Sequence, residues 1–344
     1  MRFMEDKVDV PWGQVCYQIA DLGSIDSMVA EGWFGGNTMS ELMGTYMERV
    51  VGDDAFEYYG LQFPVLLKVM KTTGCQPFQV NAGDEAGEER YDSFGKTALW
   101  YVLEAADDAQ LFMGLARDVE AGEFFSRCND GSVGEVMNII HPKKGDSFLI
   151  KPGTVFAAGA GLTILEISEC SELTFNLDTE LEEAFDLIDF RKLDSPGGIA
   201  PPDNVRFADP TTGFAGGPPS YVAEGGHGCM RGNTDPEKGI LAECPEFKVT
   251  KLDLKDPLHI SSELPGSFAV YFCLSGEAVI QTSPGTDTFD PVGLKAGYSV
   301  LVPSEVNDFL LYPVREGTVL LETLVERRTV TDSYTSDPHI RNWN

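Results

Sequence analysis

The sequence predicts a mainly β protein: two jelly-roll blocks, each a barrel or a sandwich, with a small helical subdomain. Three observations carry this. From Phe63 onward, short apolar or β-branched runs recur between Gly, Pro, Asn and Asp, the pattern of antiparallel strands joined by turns. Glycine (36) and proline (20) are frequent among the 344 residues, as many turns require. One local cadence occurs twice: KKGDSFLIKPG (143–153) and LKAGYSVLVPS (294–304) each pass from Lys through a Gly turn into an apolar strand that ends at Pro. Two such copies about 150 residues apart, at matching places in two β blocks, indicate a duplicated unit.

Taken in order, the N-terminal MRFMEDKVDVPWGQ is charged, broken by proline and without an apolar h-region, so it does not read as a signal peptide. Residues 38–51 predict a helix, because Met39, Leu42, Met43, Tyr46, Met47 and Val50 fall on one face. Thr38 and Glu41 have the spacing of a capping box. The methionine stripe is read as core packing, and the helical insertion spans about 38–60. Strands are expected at FPVLLKVM (63–70), ALWYVLE (98–104), AQLFMGL (109–115), VMNIIHP (136–142), SFLIKPG (147–153), LTILEIS (162–168) and ELTFNL (172–177). Short helices are expected at 117–129 and 180–190. Residues 194–245 lose periodicity and are rich in Gly and Pro, which predicts a long connection. A second β block follows: FKVTKLDL (247–254), SFAVYFCLSG (267–276), EAVIQTS (277–283), GYSVLVP (297–303), NDFLLYP (307–313) and TVLLETLV (318–325). The expected organisation is an N-terminal domain at 1–193, the connection at 194–245, a C-terminal domain at 246–326 and a polar tail at 327–344.

Composition narrows the function. With 25 Lys and Arg against 55 Asp and Glu, the net charge is −30. That argues against a phosphate backbone or an anionic membrane surface as partner, since both recruit cations. A small phosphorylated molecule remains compatible with a locally basic pocket. No run approaches the ~20 apolar residues that span a bilayer. The seven cysteines are scattered without a CxxC, as expected of reduced thiols in a cytoplasmic protein. Composition fixes no oligomeric state.

Several stretches, in order and correctly spaced over more than 200 residues, resemble class I mannose-6-phosphate isomerases of the short bacterial type. These are DSMVAEGWFGGNTMSELM (26–43), LQFPVLLKVM (61–70), QPFQVNAGDEA (76–86), SFGKTALWYVLE (93–104), GDSFLIKPGTVFAAGAGLTILEISECSELTFNL (145–177), ELEEAFDLIDF (180–190) and LAECPEFKV (241–249). The repeated cadence resembles the second cupin motif, so the resemblance implies a double-cupin fold. It also implies a zinc site built from Gln, His, Glu and His, with a catalytic arginine. At those places this sequence has Gln79, Asn81, Ala98 and Phe156, and the arginine position is Asn176. Lys96 keeps the family lysine, while Pro77 replaces a serine.

Zinc takes three or four N, S or O donors at about 2.0–2.3 Å. Alanine and phenylalanine have no lone pair to offer, and the amides of Gln79 and Asn81 are neutral and weak donors. The expectation is therefore no metal, no cofactor and no catalytic residue. Gln79, Asn81, Lys96, Phe156 and Asn176 are the candidate ligand-binding residues, for a sugar or sugar phosphate. Each has a plainer reading: a satisfied buried amide, a hinge lysine, or an aromatic plug in the old metal cavity. His141, His259 and His339 stand apart from these motifs, His227 and Cys229 lack identifiable partners, and Asp84 and Glu85 read as turn or helix-start carboxylates. The functional expectation is a mannose-6-phosphate isomerase-like protein that binds a small ligand without catalysis. The alternatives are an active isomerase with a relocated site, and a structural or interaction protein whose pocket has closed.

Overall fold

A computed structural model describes residues 1–193, 230–231, 239–261, 267–282 and 290–325. The predicted tail and most of the predicted connection, including His227, Cys229 and His339, lie outside the described residues.

In the N-terminal half the strands are β1 (Asp6–Val10), β2 (Gly13–Ile19), β3 (Val65–Thr72), β4 (Gln79–Asn81), β5 (Ala98–Ala105), β6 (Leu111–Leu115), β7 (Met137–Ile140), β8 (Ser147–Ile150), β9 (Val155–Ala158), β10 (Leu162–Glu169) and β11 (Thr174–Asn176). The C-terminal half adds β12 (Met230–Arg231), β13 (Ile240–Glu243), β14 (Lys248–Leu254), β15 (Leu258–Ser261), β16 (Ala269–Ser275), β17 (Glu277–Thr282), β18 (Val292–Lys295), β19 (Ser299–Val302), β20 (Asp308–Pro313) and β21 (Thr318–Leu324). They form four antiparallel sheets: β1-β2-β3-β10-β5-β8, β11-β4-β9-β6-β7, β13-β14-β21-β16-β19 and β12-β15-β20-β17-β18. The two halves repeat one topology. The order β3-β10-β5-β8 matches β14-β21-β16-β19, and β4-β9-β6-β7 matches β15-β20-β17-β18. The duplicated cadence lands where this requires, since KKGD leads into β8 and LKAGY into β19, both at a sheet edge. Each turn needs a left-handed residue and has glycine there, Gly145 at φ 97° and Gly297 at φ 88°.

Alternating side chains stack these sheets. In the six-stranded sheet, one face of β5 and β10 carries Trp100 and Glu166, while the other carries Leu99, Leu165 and Ile167. The second face joins a core with Phe247, Val249, Val270, Phe272 and Leu321 of the C-terminal half. Phe63 and Phe268 meet across this seam, ring centroids 4.8 Å apart. The C-terminal sheets enclose their own core around Leu252, Tyr271, Ile280, Leu294 and Leu311. The blocks are therefore sandwiches, not closed barrels, and the central strands β3, β10 and β5 of the six-stranded sheet are largely buried on both faces.

The helical insertion lies where expected but is divided. Helix α1 (Met39–Tyr46) has both hydrogen bonds of the Thr38–Glu41 capping box. It stops at Met47, which adopts φ 46°, and α2 (Glu48–Val51) and α3 (Asp53–Tyr59) follow. The single helix expected over 38–51 is broken because α2 docks elsewhere: the carbonyls of Val50 and Arg49 accept from the Ser304 and Glu305 amides. Helix α4 (Asp84–Tyr91) was not foreseen as a full element, although Asp84 and Glu85 do open it. Helix α5 (Ala121–Asp130) is close to its expected range, and α6 (Leu181–Ala184) gives way to a 3-10 turn at Phe185–Leu187. His141 is exposed and lies just past β7, not on a strand. No helix among the described residues is long and apolar enough to cross a membrane.

Candidate functional site

Three short strands bring the candidate residues together. Across β11-β4-β9, Gln79 lies opposite both Asn176 and Phe156, and Asn81 lies opposite Thr174. All five therefore share one face. Val80, Val155 and Phe175, between them in sequence, point the other way into a separate core beneath α5. Facing Phe156 across the sandwich is β5, which begins at Ala98 and presents Trp100 on the same side. The Trp100 and Phe156 rings meet edge to face, 5.2 Å apart at 88°. Phe156 is only 4% exposed, so the ring fills the interior and does not line an open wall.

Lys96 does reach this space, but it is already paired. Its ammonium lies 3.4 Å from Oε1 of Glu166, and the Lys68 ammonium lies 3.0 Å from the same oxygen. Oε2 accepts from the Trp100 indole at 2.9 Å. Sheet register enforces this arrangement, because Glu166 on β10 sits directly opposite Lys68 on β3 and Trp100 on β5. Burial alone would raise the Glu166 pKa, but the two lysines and the indole hold it down at about 2. Burial and the neighbouring Lys68 bring Lys96 down to about 8, against the pull of Glu166. The two shifts do not favour charge equally: Glu166 keeps its charge firmly, and Lys96 holds its proton less firmly because it is buried and beside the like charge of Lys68.

The amides are less fully engaged. Asn81 is 1% exposed; its Oδ1 accepts from the Thr174 hydroxyl at 2.8 Å, and its Nδ2 has no partner. Asn176 lies half-buried at the rim, where its Oδ1 accepts from the Asp178 amide. Of the four positions where the resemblance places zinc ligands, Ala98 and Phe156 offer a methyl and a phenyl ring. The residues present do not fit a tetrahedral zinc, which needs at least three donor atoms.

Sequence reasoning missed Lys68, Glu166 and Trp100. A signal was present: each charge stands alone inside a short apolar run, LLKVM and ILEIS. A buried charge requires a partner, and two such strands imply that the charges meet.

A cavity of about 260 Å³ lies at the seam between the halves, lined by Asp84, Thr97, Lys151, Glu169, Cys244 and Glu246 among others. Carboxylate oxygens of Asp84, Glu169 and Glu246 lie within 4.8 Å of one another there. Strand alternation puts Glu169 on the opposite face of β10 from Glu166. The trio is therefore separated by the sheet from Ala98, Phe156 and Gln79. Two of its members accept backbone amides, Asp84 from Gly95 and Glu169 from Thr97.

No family model matches the chain. Among curated proteins it is 24% identical over 301 residues to YvyI of Bacillus subtilis, provisionally named a mannose-6-phosphate isomerase, covering 86% of this chain and 85% of that one. It is 29% identical over 163 residues to mannose-6-phosphate isomerase ManA of the same organism, covering 47% of this chain and 50% of ManA. The crystal structure of the mannose-6-phosphate isomerase from Bacillus subtilis superposes with a TM-score of 0.66 at 19% identity, over 94% of this chain and 98% of that one. The chain is thus similar in sequence to proteins named mannose-6-phosphate isomerase and shares the fold of a solved one.

Proposed function

We propose that this chain is a non-catalytic, cytoplasmic mannose-6-phosphate isomerase-like protein. In this reading it serves carbohydrate metabolism by binding a sugar, a sugar phosphate or another small ligand between its two N-terminal sheets, without zinc. The observation that carries the reading is the pair Ala98 and Phe156, hydrocarbon where two metal donors would have to stand. Isomerising an aldose to a ketose moves a proton between adjacent carbons through an enediol, which needs a positioned base and a group to hold the developing negative charge. Each lost charge stabiliser costs roughly 2.7–4 kcal/mol of barrier, and Asn176 supplies no cation to compensate. An isomerase with a relocated metal would need its donors in this same space, whereas the acidic trio faces the other side of the sheet.

A second reading, a structural or interaction protein with a closed pocket, is favoured by the Trp100–Phe156 packing. A coupled assay converting mannose 6-phosphate to fructose 6-phosphate, run with and without added zinc, tests the first claim. The expected result is no turnover in either condition, and measurable zinc-dependent turnover would reject it. Ligand-induced thermal stabilisation separates the two readings, because a closed pocket responds to no sugar.

A further inference from the structure

We propose that the ligand accepted between the N-terminal sheets is neutral and rich in hydroxyls, an unphosphorylated hexose or polyol, because the lysines there are held by Glu166 while the amides are left open. The inference rests on the ligand-binding reading above and narrows its chemistry.

The cations come first. Lys68 and Lys96 both lie on Oε1 of Glu166, at 3.0 and 3.4 Å, and the Trp100 indole takes the other oxygen. A phosphate dianion would have to displace a carboxylate that is already held from three sides by the fold itself. It would also have to enter a protein of net charge −30, whose field opposes a second anion.

The neutral groups are in the contrary state. Asn81 is buried, with one end of its amide on the Thr174 hydroxyl and the other on nothing. Turning the amide over does not help, since a single hydroxyl serves only one end. A buried amide end without a partner is costly, and a ligand hydroxyl, which both donates and accepts, satisfies it in either orientation. Gln79, two residues along the same face and half-buried, adds a second amide beside it.

Calorimetry and thermal shift on the full chain test this, with D-mannose, mannitol and mannose 6-phosphate at low and high salt. The expected result is that mannose or mannitol binds with little salt dependence, and that mannose 6-phosphate binds at least tenfold more weakly. Asn81→Leu and the more exposed Gln79→Leu should each weaken the neutral ligand by about tenfold, the worth of one hydrogen bond to a buried group. Equal or tighter binding of mannose 6-phosphate overturns the inference and leaves the ligand-binding reading standing. No response to any of the three overturns both. Binding of mannose that ignores both substitutions overturns the assignment to this site.

Discussion

Glu166 is the residue on which the interior of the N-terminal sandwich is organised. Two ammonium groups and an indole converge on it in a place nearly closed to water. Such a cluster is not strong evidence for stability as a whole, but breaking it by removing one partner leaves buried charge uncompensated, at a cost of about 3–5 kcal/mol. Glu166→Gln should therefore destabilise the protein by that amount at neutral pH. The pH dependence follows from the depressed carboxyl: its contribution is complete above the ordinary value of 4.5 and is lost as the pH falls to about 2. Denaturant titrations of both proteins should show a gap that is present at neutral pH and closes on acidification. A gap that widens toward acid would contradict the ion-pair account. The same residue explains what the sequence left hidden. Gln79, Asn81, Ala98 and Phe156 could be read by aligning motifs, and the fold does bring them together. The pairing of Lys96 with Glu166 could not, because it depends on β10 lying between β3 and β5, a register set by contacts far apart in sequence.

Among the elements, those with strong periodicity were legible and those defined by pairing were not. Strands β3, β5, β10, β14, β16 and β21 are the long apolar runs at the centres of their sheets, and the sequence marks each of them. The hairpin β1–β2 escaped notice because its exposed edge strand, DKVDV, carries three charges in five residues. Strand β4 is three residues long, and its alternation is too brief to register against a background of loop. Helix α1 shows the opposite case, a start written in the sequence with both bonds of its capping box formed, Thr38 Oγ1 accepting from the Glu41 amide and Glu41 Oε2 from the Thr38 amide. Its end was not legible, since Met47 leaves the helix to let α2 meet Ser304 and Glu305 of the C-terminal half. Thr38→Ala should cost about 1 kcal/mol in equilibrium unfolding, the usual worth of an N-cap. A change near zero would mean that docking alone sets the start of α1.

At the scale of the whole molecule, duplication produces two sandwiches, and the buried seam between them joins the six-stranded sheet to its C-terminal counterpart. That seam includes Phe63 and Phe268 and gives the N-terminal sheet a rigid back. The candidate site is then built on the other face of a sheet fixed from behind, so Ala98 and Trp100 cannot readily retreat from Phe156. This matters for the central claim, since a metal could enter only if that face rearranged. Direct metal analysis of the purified chain, after incubation with zinc and dialysis, tests the claim most plainly. The expected content is far below one ion per chain, unchanged by Gln79→Ala. Stoichiometric zinc that survives dialysis and disappears in the Gln79→Ala protein would contradict it.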